Sequence, residues 1–493
     1  MTIYQMLARN WRKYPQQLAL TDDQQQLSWQ QLGQRVEQLA AWLYHEHDVR
    51  NGDRVALVLP NSIEFVVGVL AIQRLDAIAV PINVRLTTPE FKFILGDSES
   101  TLVLTSSLTS KAIEPLVAQG LVGLWLDRLD PPTVKAAEVP PAPVADRLSP
   151  AILLYTSGTT GRPKGVLYNQ SALHAVAMMM ALEMSMSPQS KLLHLMPFTH
   201  SAPLNLFLFA GLLVGAAHVV APTFTPDLLL TLVPKHQVTH FFGAPVAYLL
   251  TAQHAAIEST DLSTVTHWVY GGAAMSTGQT QQVQKAFNSN QFYCVYGLTE
   301  AGPSGTLLLP AEHATKAGSV GQRAAFNTEV RLRTDNGRQP AVGEPGEVEI
   351  FGEGMMACYW NNPAATQATL TADGWLKTGD VAIQDEDGFY WIKDRKKDII
   401  IAGGVNIYPR EIEDTLSAHP AVVEVAVIGV PHAEWGETVK AVIVAKEAQQ
   451  TLEPQLKEFL AARLADFKLP RLYQWIDELP RNANGKVLKH QLR

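Results

Sequence analysis

The chain has 493 residues, more than one hydrophobic core usually serves, so two or three domains are expected. A composition 47% apolar and 17% charged excludes a disordered chain, and a net charge of −8 gives no general nucleic-acid footprint. Cys294 and Cys358 stand alone, which excludes a disulfide framework or a cysteine metal cluster and agrees with a reducing, cytoplasmic setting.

In chain order, the N-terminal segment MTIYQMLARNWRKYPQQ lacks the apolar stretch of a signal peptide. Leu32 to Tyr44 is amphipathic, Arg54 to Leu59 is a short apolar run, Phe65 to Arg74 is helical, and Ala77 to Ile82 reads as a strand. Such alternation predicts parallel sheets covered by helices. The Pro- and Ala-rich residues 131 to 150 predict an extended connector. Apolar Ala151 to Leu154 suit a buried strand, which runs into YTSGTTGRPKGV, Tyr155 to Val166. That loop carries three glycines, four hydroxyl side chains, Arg162 and Lys164. Glycine lets backbone N–H groups approach an anion, and hydroxyls and cations add donors, so the loop suits a polyphosphate. It lacks the Gly-Lys-Ser/Thr ending of the common P-loop.

Ser171 to Met186 is helical and carries five methionines, read as adaptable core packing or as one wall of an acyl pocket. MPFTHSAP follows, with His200 at its centre. Ser201 to Pro226 contains no Asp, Glu, Lys or Arg and is long enough for a membrane helix. Its Asn, His, glycines and internal prolines favour a buried helix followed by a strand, with no transmembrane segment. The strands Val265 to Tyr270 and Phe292 to Val295 run into GGAAMS and YGLTEAG, which suits ligand binding at the carboxyl edge of an α/β sheet. Gly346 to Phe351 alternates as a strand, and GWLKTGDVA brings Asp380. Then come FYWIKDRKKDIIIAGGVNIYPREIE, a helix over Pro409 to His419, strands over Val422 to Val430 and Val439 to Val444, a helix over Leu456 to Phe467, and a final LPRNANGKVLKHQLR.

YTSGTTGRPKG, YGLTE 130-odd residues later, TGD, and DRKKDIIIAGG in this order resemble the adenylate-forming enzymes: acyl-CoA synthetases, aryl-CoA ligases, luciferases and adenylation domains. The resemblance spans essentially the whole chain. It implies an α/β fold with a large N-terminal domain, residues 1–396, of two α/β subdomains plus a small β-barrel. A small mobile α+β C-terminal domain, 397–493, would turn about a hinge at Lys397. It implies that Thr156, Ser157, Gly158, Thr159, Thr160, Gly161 and Lys164 hold the phosphates of ATP. Gly272, Ala273 and Ala274 would border adenine and the acyl group. Tyr296 and Gly297 would flank the adenine, and Thr299 would contact phosphate. Glu300 would hold Mg²⁺, a cation that often takes one or two carboxylates plus phosphate oxygens. Asp380 would accept from the ribose hydroxyls, and Arg395 would also contact the nucleotide. Lys486, His200, Thr156 and Glu300 would be the catalytic group, with Lys486 bridging the reacting carboxylate and phosphate. The relatives usually carry an aromatic residue just before the histidine, where Thr199 stands here.

The implied reaction joins a carboxylic acid to a thiol through an acyl-adenylate, releasing pyrophosphate and then AMP. Arg85, Gly403, Gly404 and Trp435 match positions at the coenzyme A site. Medium- or long-chain fatty acids are the expected substrates. An aryl acid (coumarate, benzoate or succinylbenzoate type) or delivery to a carrier protein is the alternative. A homodimer is left open, and no nucleic-acid partner is expected.

Overall fold

The computed structural model describes residues 1–106, 109–117, 122–125, 146–156, 162–445, 449–481 and 487–493. Most of the predicted connector 131–150, together with Ser157, Gly158, Thr159, Thr160, Gly161 and Lys486, lies outside the described residues. The chain divides into two compact units, one formed by Met1–Val330 with Ile350–Lys377, the other by Arg331–Glu349 with Thr378–Arg493.

The first unit holds two sheets of the alternating α/β type. A nine-stranded sheet runs, in spatial order, through Arg323–Ala324, Thr306–Leu308, Phe292–Val295, His267–Gly271, His240–Gly243, Lys191–His194, Ala217–Val220, Leu18–Thr21 and Gln26–Ser28. From Phe292–Val295 to Leu18–Thr21 every pairing is parallel. The strands leading into GGAAMS and YGLTEAG are therefore neighbours, in register Gly271 to Val295. Their two loops emerge at the same sheet edge, as the strand pattern predicts.

A seven-stranded sheet runs Cys358–Tyr359, Lys164–Asn169, Pro150–Thr156, Ile78–Pro81, Arg54–Val58, Leu102–Thr105 and Val122–Trp125. Its last five strands are parallel, whereas Pro150–Thr156 and Lys164–Asn169 form an antiparallel hairpin. The helix Ile63–Arg74, capped by the Ser62 hydroxyl on the Phe65 N–H, is buried along its whole length. A helix buried on all sides reads as apolar throughout rather than amphipathic.

The charge-free stretch forms a π-helix Ala202–Leu208, a short α-helix Phe209–Val214 and the strand Ala217–Val220. Among the described residues no helix is long and apolar enough to cross a membrane. The methionine-rich helix is Gln170–Glu183, capped by Asn169 on the Ala172 N–H. It stops short of Met186 because Ser185 turns left-handed, with φ +49°. Met179, Met180 and Met184 are buried, which supports the core-packing reading.

The second unit contributes to a four-stranded sheet, Thr328–Arg333, Gly346–Gly352, Leu376–Gln384 and Tyr390–Arg395. It also forms a five-stranded sheet with the path Val405–Ile407, Ile400–Ala402, Gly436–Ala445 and Val422–His432, and with Leu472–Trp475 pairing Gly436–Ala445. The helix predicted over Leu456 to Phe467 runs instead over Gln449–Ala461, followed by a 3-10 turn Asp466–Lys468. The reason is packing: Leu452, Leu456 and Leu460, spaced by one turn, share one buried face with Ile412, Leu416 and Val427.

Candidate active site

The first cluster starts where Pro150–Thr156 ends. Thr156 pairs with Lys164 across the hairpin, so these two residues meet at one point of the sheet. Tyr155 beneath it is anchored by a 2.7 Å hydrogen bond from its hydroxyl to Asp97 Oδ2. Lys164 Nζ lies 4.9 Å from the centroid of the Tyr359 ring. The Tyr359 hydroxyl donates to Glu300 Oε1 at 2.8 Å. Burial, the Glu300 charge and this hydrogen bond together push the Tyr359 phenol well above its ordinary pKa, so it remains a donor.

The edge strand Cys358–Tyr359 makes this meeting. It pairs antiparallel with Val166 and Leu167, and the Trp360 N–H donates to the Gly165 carbonyl at 2.8 Å. The Met356 N–H donates to the Glu300 carbonyl at 2.9 Å. Close approach of the two segments requires glycine: Gly302 has φ +77°, and a Cβ there would sit 2.1 Å from the Gly354 carbonyl oxygen.

On its other side, the YGLTEAG turn meets the His200 loop. Thr299 Oγ1 and Ser201 Oγ are 3.0 Å apart, and the Tyr168 hydroxyl donates to the Thr299 carbonyl. Asn61 holds the His200 loop from below. Its amide donates to the Met196 carbonyl, and its oxygen accepts the Phe198 N–H, both at 2.8 Å. Burial lowers the pKa of His200, which keeps the imidazole neutral at pH 7. Thr199 Oγ1 is buried with no hydrogen-bond partner among the described residues. Gly272 and Ala273 are exposed at the end of their strand, Ala274 is half-buried, and Tyr296 and Gly297 are half-buried beside Thr299. Thr156, Lys164, His200, Thr299 and Glu300 are thus brought together through Tyr359, Tyr168 and Ser201.

The second cluster lies in the second unit. Asp380 and Arg395 are partners across antiparallel strands, with Arg395 Nε 2.6 Å from Asp380 Oδ1. The Thr378 hydroxyl accepts the Asp380 N–H at 3.0 Å, which fixes the strand segment that carries the carboxylate. Lys397 is exposed in the 3-10 turn Lys396–Asp398. Its neighbour Lys396 is anchored on Asp335 and Glu347, at 2.7 and 3.1 Å.

Gly403 and Gly404, with φ +58° and +81°, form the two-residue turn between Ile400–Ala402 and Val405–Ile407. The Gly403 N–H donates to the Trp435 carbonyl at 2.9 Å. The Trp435 ring stacks on His432, with centroids 4.5 Å apart. Three of the four candidate coenzyme A residues therefore sit together, while Arg85 is an exposed turn residue of the first unit.

Sequence reasoning did not single out Tyr359, Tyr168, Ser201 or Asn61. Ser201 directly follows His200, but no motif flags the other three. Tyr359 is placed by a sheet pairing with Val166, and Tyr168, Ser201 and Asn61 act through side-chain hydrogen bonds to segments far away in sequence.

The comparisons with known proteins bear on this arrangement. The family described as AMP-binding enzyme matches residues 7–360, and its C-terminal domain matches 411–486. A feruloyl-CoA synthase of Amycolatopsis is 35% identical, covering 98% of this chain and 97% of its own. The long-chain-fatty-acid–CoA ligase FadD13 of Mycobacterium tuberculosis is 36% identical, covering 90% of this chain and 88% of its own. The structure of o-succinylbenzoate CoA synthetase from Bacillus subtilis, in complex with its acyl-adenylate intermediate, superposes with a TM-score of 0.91 at 30% identity, covering 100% of this chain and 98% of that one. The chain belongs to the AMP-binding enzyme family, the adenylate-forming superfamily that includes the acyl-CoA ligases.

Proposed function

We propose that this AMP-forming acid–thiol ligase converts an apolar carboxylic acid, ATP and coenzyme A into acyl-CoA, AMP and pyrophosphate, with medium- or long-chain fatty acids as its main substrates. The observation that carries this reading is the linked cluster Lys164–Tyr359–Glu300 and Thr299–Ser201, which sets a polyphosphate-type donor set beside the loop of His200. The ammonium and hydroxyls are hydrogen-bond donors that suit a phosphate chain, and the carboxylate is a hard oxygen ligand that suits its Mg²⁺. Mg²⁺ held at Glu300 would neutralise part of the phosphate charge.

In the first step the acid's carboxylate attacks the α-phosphate, and pyrophosphate leaves. Thr156, Lys164 and the loop Ser157–Gly161 would bind and orient the phosphates, while Lys486 would stabilise the attacking carboxylate and the developing charge. In the second step the thiol attacks the acyl carbon, and AMP leaves. No side-chain nucleophile is required, so positioning and charge stabilisation carry the rate. Asp380 and Arg395 would hold the nucleotide, and Lys397 would be the pivot between the two steps, at the proposed boundary of the 397–493 domain. Arg85, Gly403, Gly404 and Trp435 would serve coenzyme A.

The apolar acid is supported by the buried Phe198, Leu204, Leu206 and Phe207 around the His200 loop. Neither Met196–Leu208 nor Gly271–Met275 contains a lysine or arginine to pair with a second carboxylate. An aryl acid is the second reading, favoured by the feruloyl-CoA synthase relative that matches nearly the whole chain. A panel of fatty, cinnamic and benzoic acids, compared by kcat/KM for acyl-CoA formation, tests the choice. The highest values should fall on fatty acids. A ranking led by the cinnamic acids transfers the assignment to the aryl class, and an adenylate that passes only to a carrier protein removes coenzyme A as acceptor.

A further inference from the structure

The geometry points to Tyr359 as a positioning residue for the metal-binding carboxylate of Glu300; this rests on the proposed role of Glu300. The phenol donates to Oε1 of Glu300 at 2.8 Å. A hydrogen bond to one carboxylate oxygen fixes the plane of the group and leaves the other oxygen as acceptor for a cation. Side-chain groups that hold a ligating carboxylate in this way tune metal affinity by about 10- to 100-fold.

The ring does a second job. Lys164 Nζ lies 4.9 Å from its centroid, within the range of a cation–π contact. One side chain thus spans the end of the glycine-rich loop and the carboxylate. The backbone around it is built for this. Tyr359 is pinned by pairing with Val166. The next residue, Trp360, donates its indole N–H to the Asp97 carbonyl at 3.0 Å. The Glu300 carbonyl is held by the Met356 N–H. The backbone at both ends of the hydroxyl–carboxylate contact is therefore held in place by hydrogen bonds.

The test is Mn²⁺ binding in the presence of a non-hydrolysable ATP analogue, followed by electron paramagnetic resonance on the full chain. This reads metal affinity without turnover. Five proteins are compared: wild type, Glu300→Gln, Tyr359→Phe, Glu300→Asp and Glu300→Asp combined with Tyr359→Phe, each with a melting curve. Tyr359→Phe keeps the ring over Lys164 and loses only the hydroxyl. It should raise the Mn²⁺ dissociation constant about tenfold, the scale of a lost carboxylate-orienting contact. Glu300→Gln should raise it further. Glu300→Asp withdraws the carboxylate from the phenol, so adding Tyr359→Phe to it should cause no further loss. A further loss in that pair would mean that the phenol acts elsewhere than on the Glu300 carboxylate, and overturns the proposal. Wild-type affinity in Tyr359→Phe, alongside weak binding in Glu300→Gln, overturns the role of Tyr359 and leaves Glu300 standing. Unchanged affinity in Glu300→Gln overturns both.

Discussion

Asp380 Oδ1 and Arg395 Nε sit 2.6 Å apart across two antiparallel strands whose register makes the two residues direct partners. The Asp380 side chain is buried and Arg395 is about two-fifths exposed. The arginine therefore holds the carboxylate at the end of a strand pair, and we propose that this carboxylate accepts hydrogen bonds from the ribose hydroxyls.

Replacing Asp380 by Ala should weaken AMP binding by about 10- to 100-fold, the scale of charge-assisted hydrogen bonds worth roughly 1.5–3 kcal/mol. Calorimetric titration with AMP measures it. Deoxy-AMP, lacking one hydroxyl, should discriminate wild type from Asp380→Ala: a large loss for wild type and little for the variant. Equal losses in both proteins remove Asp380 from the ribose.

Much of this arrangement is legible in the sequence because it depends on local chemistry. The strand into YTSGTTGRPKG and the strands leading to GGAAMS and YGLTEAG follow from runs of apolar residues closed by glycine-containing loops. Tyr359 was not legible. It sits in ACYWNN, two residues of strand that matter only because they pair with Val166 and Leu167 some 190 positions earlier. Pairing between distant segments leaves no periodic signal in either segment. The helix Gln449–Ala461 departs from the expected Leu456 to Phe467 for a different reason: its apolar residues repeat by fours from Leu452, so the buried face begins one turn before Leu456.

Lys486 and Lys397 should give opposite patterns when the two half-reactions are measured separately. Loss of one preorganised electrostatic contact costs on the order of 10²–10³ in rate. Lys486→Ala should slow acyl-adenylate formation by that factor and leave thioester formation from supplied adenylate near wild type. Lys397 occupies an exposed 3-10 turn beside the anchored Lys396, so a dihedral change there breaks no ion pair made by Lys396 itself. Lys397→Pro fixes φ near −65° and removes an N–H. It should spare adenylation and collapse thioester formation. Normal thioester formation in a folded Lys397→Pro protein removes the hinge.

The histidines of the nine-stranded sheet predict acid sensitivity. His194 Nε2 and His218 Nδ1 are 2.9 Å apart and fully buried on neighbouring strands. Burial lowers His218 from 6.5 to about 3, and burial and His218 hold His194 well below its ordinary value. The unfolded chain takes up protons first as pH falls, so stability is full above pH 6.5 and declines from there toward pH 3. Each buried histidine should contribute a slope of roughly 1.4 kcal/mol per pH unit in this window. His218→Gln should flatten the decline in denaturant midpoint between pH 6.5 and 5 by about one proton's worth. A parallel curve means that this pair is not the acid-sensitive element.

The most direct test of the whole account is the product ratio in a single reaction with labelled ATP, Mg²⁺, a fatty acid and coenzyme A. The account predicts one AMP and one pyrophosphate per acyl-CoA. With coenzyme A withheld, one equivalent of acyl-adenylate should remain bound, and Glu300→Gln should lose it. ADP and inorganic phosphate as products, or pyrophosphate release that no acid stimulates, would contradict it.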